Sequence, residues 1–383
     1  MRVSIRKVGV EEELLLVDPE TGLLTAVAAK ALRAHDEAVS DSDVEPGDLA
    51  GPADDDPGIE AELFLQQLET TSTPCDRMDE LADQLRRGRR AVGELAQDAG
   101  AAAVVVPIPV LADEDADVTP EPRYRRIREE FGELARTSLA CAMHMHVEVA
   151  DDEEGARVLD GIGPWLPVLL AISANSPYWC GRDTGYASWR SQIWTGWPSH
   201  GTGEPFGSAQ TYDETTAKLV EWGAALDTGM VYFDARLSQN FPTVEIRVAD
   251  VCTELDDAIL LAALGRGLVE STATAGGKGP VWRSELIRAA SWRASRYGLA
   301  GQLVHPVDRK LAPAREVVES LVAHASPALK EAGDLELVQD LCERILARGG
   351  GATRQRSTFE ARGDLQAVVS ELAQRTEQSW QEG

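Results

Sequence analysis

Residues 7–18, KVGVEEELLLVD, set three consecutive acids inside a run of strand-forming aliphatics. Side chains of an extended strand alternate between two faces, so Glu11 and Glu13 share one wall while Val10, Glu12, Leu14 and Leu16 share the other. An ionised carboxylate taken out of water is costly unless a cation, a metal or hydrogen bonds compensate it. The stretch therefore belongs either to an edge strand with its acids in water or to a buried wall with a counter-charge nearby.

The same arrangement recurs. Alternation predicts strands in which Gln67 and Glu69, then His144, His146 and Glu148, then Glu245 and Arg247 each share one face. In PTVEIRVAD the apolar Val244, Ile246 and Val248 take the opposite side. One such strand is ordinarily a solvated face; four together predict a surface that binds a cation or a charged ligand. Carboxylates with one or two imidazoles suit Mg²⁺ or Mn²⁺ better than zinc or copper. Several acids around Mg²⁺ can in turn hold a nucleoside triphosphate, because the metal cancels the repulsion between polyanion and pocket. There is no G-x-x-x-x-G-K-[ST] run, so a nucleotide would be held by metals and not by a P-loop.

The rest of the chain predicts helices and strands in alternation. Ser40–Gly58 is rich in Asp, Gly and Pro and reads as an exposed loop; Asp76–Gly100 has helical spacing and ends on a capping glycine. AAAVVVPIPV reads as a buried strand, PEPRYRRIREEFGELAR as a helix and SLACAMHMHVEVAD as a strand. Asp151–Asn175 reads as a long, proline-interrupted helix, followed by an irregular aromatic and Gly-rich loop of the length that tends to be functional. A helix is expected over Asp213–Gly229, a strand pair over MVYFDARL and PTVEIRVADV, and helices from Glu254 onward. The fold class that follows is α+β, one domain over 1–383, with an antiparallel or mixed sheet in about 1–250 and a helical layer over about 254–383.

Composition removes some functions. The 383 residues carry a formal charge of -27, with no basic cluster to override it, which argues against nucleic acid as a partner. Five scattered cysteines without a CxxC pair predict reduced thiols and no disulfide framework. Neither a signal sequence nor a membrane span is expected, and the cytoplasm is the expected compartment.

Seven stretches in order, VGVEEELLLVD, IEAELFLQQLETTSTPC, CAMHMHVEV, NSPYWCGRDTGYASWRSQIW, PTVEIRVADVC, WRASRYGL and GGGATRQRS, resemble the motifs of the glutamate-cysteine ligase 2, or carboxylate-amine ligase, family over essentially the whole chain. The resemblance implies an antiparallel sheet curved into a funnel, with ATP and metal ions on its concave face and helices outside. It also implies a ligase that phosphorylates a carboxylate with ATP and joins the acyl phosphate to an amine, glutamate plus cysteine being one such pair. Carried over by motif, Glu11, Glu13, Glu62, Glu69, His144 and Glu245 look like the Mg²⁺ shell, with Glu245 and Arg247 catalytic. Arg247 would face the γ-phosphate or the acyl phosphate, and His146 would contact ATP or support the metal's ligands without being one. Arg182, Tyr186 and Arg190 would hold the carboxylates of an amino-acid substrate. A homodimer or larger assembly, with C-terminal helices at the interface, is implied in the same way.

Some positions keep two readings. Glu12 points away from Glu11 and Glu13 and is expected in a structural ion pair. Glu60 competes with Glu62, Glu148 can be a solvated strand end, and Arg354, Arg356 and WRASRYG can be structural. Two other classes stay open: a zinc metallohydrolase using His144 and His146, and a catalytically silent nucleotide or amino-acid binder. Neither the carboxylate nor the amine is selected by the sequence.

Overall fold

The computed structural model describes residues 5–41, 58–112, 116–277, 279–280 and 282–381. Most of the loop expected over Ser40–Gly58 lies outside the described residues. The strands are β1 (Val8–Val17), β2 (Gly58–Ala61), β3 (Gln67–Thr71), β4 (Ala102–Val104), β5 (Met143–Glu148), β6 (Tyr178–Trp179), β7 (Arg182–Asp183), β8 (Ala235–Leu237), β9 (Thr243–Ile246), β10 (Gln302–Val304) and β11 (Leu311–Pro313). The helices before β8 are α1 (Ala28–Asp41), α2 (Met78–Ala99), α3 (Pro122–Phe131), α4 (Glu133–Arg136), α5 (Asp152–Ile162), α6 (Leu166–Ser173), α7 (Arg190–Trp194) and α8 (Ala209–Glu221). After β9 come α9 (Leu255–Thr274), α10 (Ser284–Tyr297), α11 (Ala314–Ala332), α12 (Leu335–Arg348), α13 (Gly351–Arg362) and α14 (Leu365–Gln381).

Seven strands make one sheet in the order β2-β3-β1-β5-β9-β8, with β4 attached to β1, and every pairing in it is antiparallel. The α+β class holds, and of the antiparallel and mixed alternatives the antiparallel one is found. Along one edge β1 pairs with β3; along the other, Val8–Glu12 pair with β5 and Leu15–Val17 with β4. The sheet thus divides beside Glu13, whose carboxylate accepts the Ala142 backbone N–H at 2.9 Å.

Alternation sorts the two faces. Val8, Val10, Met143, Met145, Val147, Val244 and Ile246 point to the back and join one buried core with α9. Helix α2 crosses the same side with Met78, Leu81, Leu85, Val92 and Ala96 buried, and Gly100 closes it in the left-handed conformation expected of a C-cap. Gly88 lets α2 lie against Thr70 of β3, where a Cβ would collide with the Thr70 hydroxyl. The expected ion pair of Glu12 is here. Arg89 of α2 donates from Nε and Nη2 to the two Glu12 oxygens at 2.8 and 2.6 Å, and from its other donors to the carbonyls of Thr253 and Cys252. Both side chains are wholly buried.

Several sequence expectations change in extent. AAAVVVPIPV is buried, but only Ala102–Val104 are strand, since Pro107 and Pro109 have no N–H to give a ladder. The helix at PEPRYRRIREEFGELAR breaks at Gly132, whose φ is 53°. MVYFDARL holds strand only from Ala235, and the helix before it runs over Ala209–Glu221 in place of Asp213–Gly229. Asp152–Ser173 is interrupted at Gly163–Trp165, as its prolines imply; it is long and apolar enough to cross a membrane by composition, yet 89% of that apolar window is buried in the protein.

Glu12→Ala leaves the Arg89 guanidinium buried without its counter-charge, a loss of about 3–5 kcal/mol. Urea unfolding monitored by circular dichroism should show the midpoint falling accordingly, and an unmoved midpoint would contradict the buried pair.

Candidate active site

Strand register brings the charged side chains of the front face together. Glu13 lies opposite Glu69, Glu11 opposite His144, and His146 opposite Glu245, which in turn faces Arg236 of β8. Glu62 enters from the turn after β2, its position held by Thr119, which donates to the Glu62 carbonyl at 2.6 Å. The oxygen and nitrogen atoms form three groups, each within 4.8 Å: Glu13, Glu62 and Glu69; Glu11, Glu69 and His144; Glu11, His146 and Glu245. Glu69 belongs to the first two groups and Glu11 to the last two, so the three are contiguous along the wall.

Their electrostatics differ along the row. Burial, and then the neighbouring Glu62, push Glu13 up to about 8. Burial followed by Glu62, Glu11 and Glu13 raises Glu69 well above the usual carboxylate range. Burial also raises Glu62. These carboxylates repel one another, and together they form a donor set that fits a hard divalent cation bound through oxygen. Glu11 is half-buried, and hydrogen bonding from both histidines outweighs the desolvation and lowers it: His144 Nδ1 is 3.0 Å from one oxygen and His146 Nε2 is 3.1 Å from the other. Burial and the nearby Arg247 take His144 down to about 4, which leaves it a neutral imidazole able to ligate.

Glu245 is buried too, yet Arg247 and Arg236 hold it at about 2. Arg236 grips it with Nε at 2.6 Å and Nη2 at 3.1 Å, and Arg247 pairs with the same carboxylate from two residues along the strand. The role of Arg236 escaped the sequence reading, although alternation in DARL places it on the front face.

Arg247 also lines a cavity of about 520 Å³, bounded by Arg190, Tyr232, Asp234, Arg288 and Trp292 among others. Arg190 is buried there, with Nη1 3.7 Å from the buried Asp250. Asp250 accepts from the Asn175 N–H at 2.9 Å and from the hydroxyls of Ser176 and Ser188, each at 2.8 Å. It therefore ties the strand carrying Arg247 to the loop carrying Arg190. Of the other two residues expected to hold a substrate carboxylate, Arg182 is exposed over the Trp179 ring and the Tyr186 hydroxyl accepts from Trp292. Neither lies with the acidic groups.

Two motifs left open by the sequence serve this loop. Arg356 donates to Asp183 at 2.7 and 3.0 Å and to the Tyr186 carbonyl at 2.8 Å. Gln355 holds Asn175, while Arg296 bonds the Gly185 carbonyl. Arg354 instead pairs with Glu254 at 2.6 Å. Glu60 lies opposite Glu69 but is exposed, and Glu148 is exposed at its strand end.

A model of glutamate-cysteine ligase family 2 matches residues 7–371. The chain belongs to that family. A relative from Nocardioides sp. (strain ATCC BAA-499 / JS614), provisionally named a glutamate–cysteine ligase 2-1, is 49% identical over 381 residues, covering 99% of this chain and 98% of its own. A Streptomyces coelicolor (strain ATCC BAA-471 / A3(2) / M145) relative, provisionally named a glutamate–cysteine ligase 2, is 43% identical over 97% of this chain and 99% of its own. Among solved structures, the Francisella tularensis glutamate–cysteine ligase in complex with AMP superposes with a TM-score of 0.65 at 12% identity, over 100% of this chain and 90% of that one. The ligase PafA, solved with the ubiquitin-like protein Pup, superposes at 0.58 and 14% identity, over 97% of this chain and 72% of that one. These structures share the fold. As a family member the chain is a carboxylate–amine ligase, and among the described residues His144 and His146 fall in different candidate ligand groups, where the zinc-hydrolase alternative needs both on one ion.

Because the folded-state pKa of Glu69 is raised, its ionisation destabilises the protein increasingly as pH climbs above the ordinary carboxylate range. Glu69→Gln should therefore raise Tm in EDTA at neutral pH and abolish the further rise that MgCl₂ gives the natural protein. Calorimetry of both proteins, with and without Mg²⁺, checks the two signs.

Proposed function

We propose that this protein uses ATP and Mg²⁺ to phosphorylate a substrate carboxylate and passes the acyl group to an amine. The observation that carries the reading is the position of Arg247, which both pairs with Glu245 on the acidic wall and lines the large cavity. A phosphoryl group held at the wall and an acid held in the cavity would meet beside that guanidinium.

Glu13, Glu62 and Glu69, with Glu11, His144, His146 and Glu245 beside them, are the residues that would hold Mg²⁺ (or Mn²⁺). A divalent ion held there would supply the charge neutralisation that a triphosphate needs beside these acids. The protein's own share is positional. Glu245 fixes Arg236 and Arg247 so that positive charge is in place before phosphate charge develops, a preorganisation that needs no rearrangement during the reaction. Arg190 offers the cavity a second guanidinium. In the reaction a carboxylate oxygen attacks the γ-phosphorus and ADP departs. The amine nitrogen then attacks the acyl carbon, the acyl C–O bond breaks with its electron pair leaving on phosphate, and the nitrogen loses a proton as the amide forms.

Mg²⁺-dependent phosphate release, screened over pairs of carboxylic acids and amines beginning with glutamate and cysteine, with products weighed by mass spectrometry, tests the reading. Arg247→Ala should lower kcat by about 10²–10³, the scale of losing one preorganised charge donor. Calorimetry showing no Mg²⁺-dependent ATP binding by the natural protein would sink the proposal. Nucleotide binding without phosphate release for any pair would favour a silent binder.

A further inference from the structure

An aliphatic amine carries its proton at neutral pH, and its nitrogen can attack carbon only after giving that proton up. The cavity beside Arg247 offers few groups able to take it. Arg190, Arg247 and Arg288 are guanidinia that stay charged. Burial pushes Tyr232 up to about 12, so it keeps its hydroxyl proton. The serines, threonines, tryptophans and glutamine of the lining do not titrate near neutrality. Two lining groups are left, His200 and Asp234. Asp234 already accepts from Thr202 Oγ1 at 2.8 Å. His200 is half-buried, and its ring nitrogens retain accessible surface and make no hydrogen bond with any described residue.

The backbone ties this imidazole to Arg247 through one residue. Asp234 donates its N–H to the Gly201 carbonyl at 3.2 Å and accepts the Arg247 N–H on its own carbonyl at 2.9 Å, while Gly201 also bridges Phe233. The N–H of His200 itself is held by the Trp197 carbonyl at 3.0 Å. Burial takes the ring below its ordinary value; of the charged groups that act on it, Arg190 lowers it further and Asp234 raises it. The imidazole is therefore neutral at neutral pH, with a lone pair to offer.

We propose that His200 is the catalytic base of the amide-forming half of the reaction, taking a proton from the attacking ammonium group. This rests on the ligase reading, which puts the acyl phosphate beside Arg247. One ammonium proton passes to the imidazole, and its bonding pair stays on nitrogen. The nitrogen attacks the acyl carbon, and the acyl C–O bond breaks with its pair leaving on phosphate, which takes the second proton. Asp234 favours the imidazolium while it lasts, and solvent in the cavity takes up its proton.

Hydroxylamine isolates this step, because it is largely unprotonated at neutral pH and traps an acyl phosphate as a hydroxamate without help from a base. With the full chain and Mg-ATP, hydroxamate is measured for each carboxylic acid of the phosphate-release screen, glutamate first, and amide formation for the same acids with cysteine and the other amines. His200→Ala should lower kcat for amide formation about 10²–10⁴-fold, the scale of general-base catalysis, while hydroxamate formation stays near that of the natural protein. The amide-forming rate left in the variant should climb as pH rises and deprotonates the amine, and added imidazole should restore part of it. In the natural protein the rate should fall as pH drops through the lowered His200 value. Equal losses with hydroxylamine and with amines would mark a structural role, and unchanged amide formation would place the base elsewhere; either result overturns the assignment and leaves the ligase reading standing. Absence of hydroxamate from every acid with the natural protein removes both.

Discussion

Charge taken out of water on both faces of a single strand governs this structure. Glu12 on the back of β1 is neutralised by Arg89, which a helix carries into the core. Glu11 and Glu13 on the front have no equivalent helix. Glu11 finds His144 and His146 on β5, and Glu13 finds the backbone N–H of Ala142 together with the repulsion of Glu62 and Glu69. The back of the strand is complete as folded, while on the front Glu13 and Glu69 are raised by burial and by the acids around them. The division between scaffold and site therefore runs through the middle of one strand, at one-residue intervals.

The second half of the chain orders the site from behind. Helices α10 and α13 lie far from the acidic strands in sequence, yet Arg296, Gln355 and Arg356 hold the loop from Asn175 to Tyr186. Asp250 then joins that loop to β9, fixing Arg190 relative to Arg247. Arginines that look like ligand binders by motif are thus spent on the backbone of a loop. Arg190, Arg247 and Arg288 instead line a common cavity.

Much of this was legible in the sequence because strand alternation is local. The pairing of Glu11 with Glu13, the shared face of His144 and His146, and the opposite orientation of Glu12 all follow from a period of two. The ends of elements were less legible. Pro107 and Pro109 shorten a buried stretch to a three-residue strand, and Gly132 splits a helix whose composition continues past it. Arg236 was within reach of the same alternation but sits in a strand of three residues, too short to announce its period. Arg288 and Asp250 carry no such signal, since nothing in their neighbours distinguishes a cavity-lining arginine or a buried aspartate from a solvated one.

By itself the sequence determined which side chains share a face, and the order of acidic, imidazole and guanidinium groups along each strand, because those depend on backbone geometry over a few residues. Tertiary structure alone decided that Glu69 faces Glu13, that Arg89 and not a surface charge meets Glu12, and that Arg190 rather than Arg182 lines the cavity. Those outcomes depend on register between strands and on helices packed from far along the chain, Arg89 lying 77 residues from Glu12, where burial converts a charge from an indifferent surface group into one that must be paired.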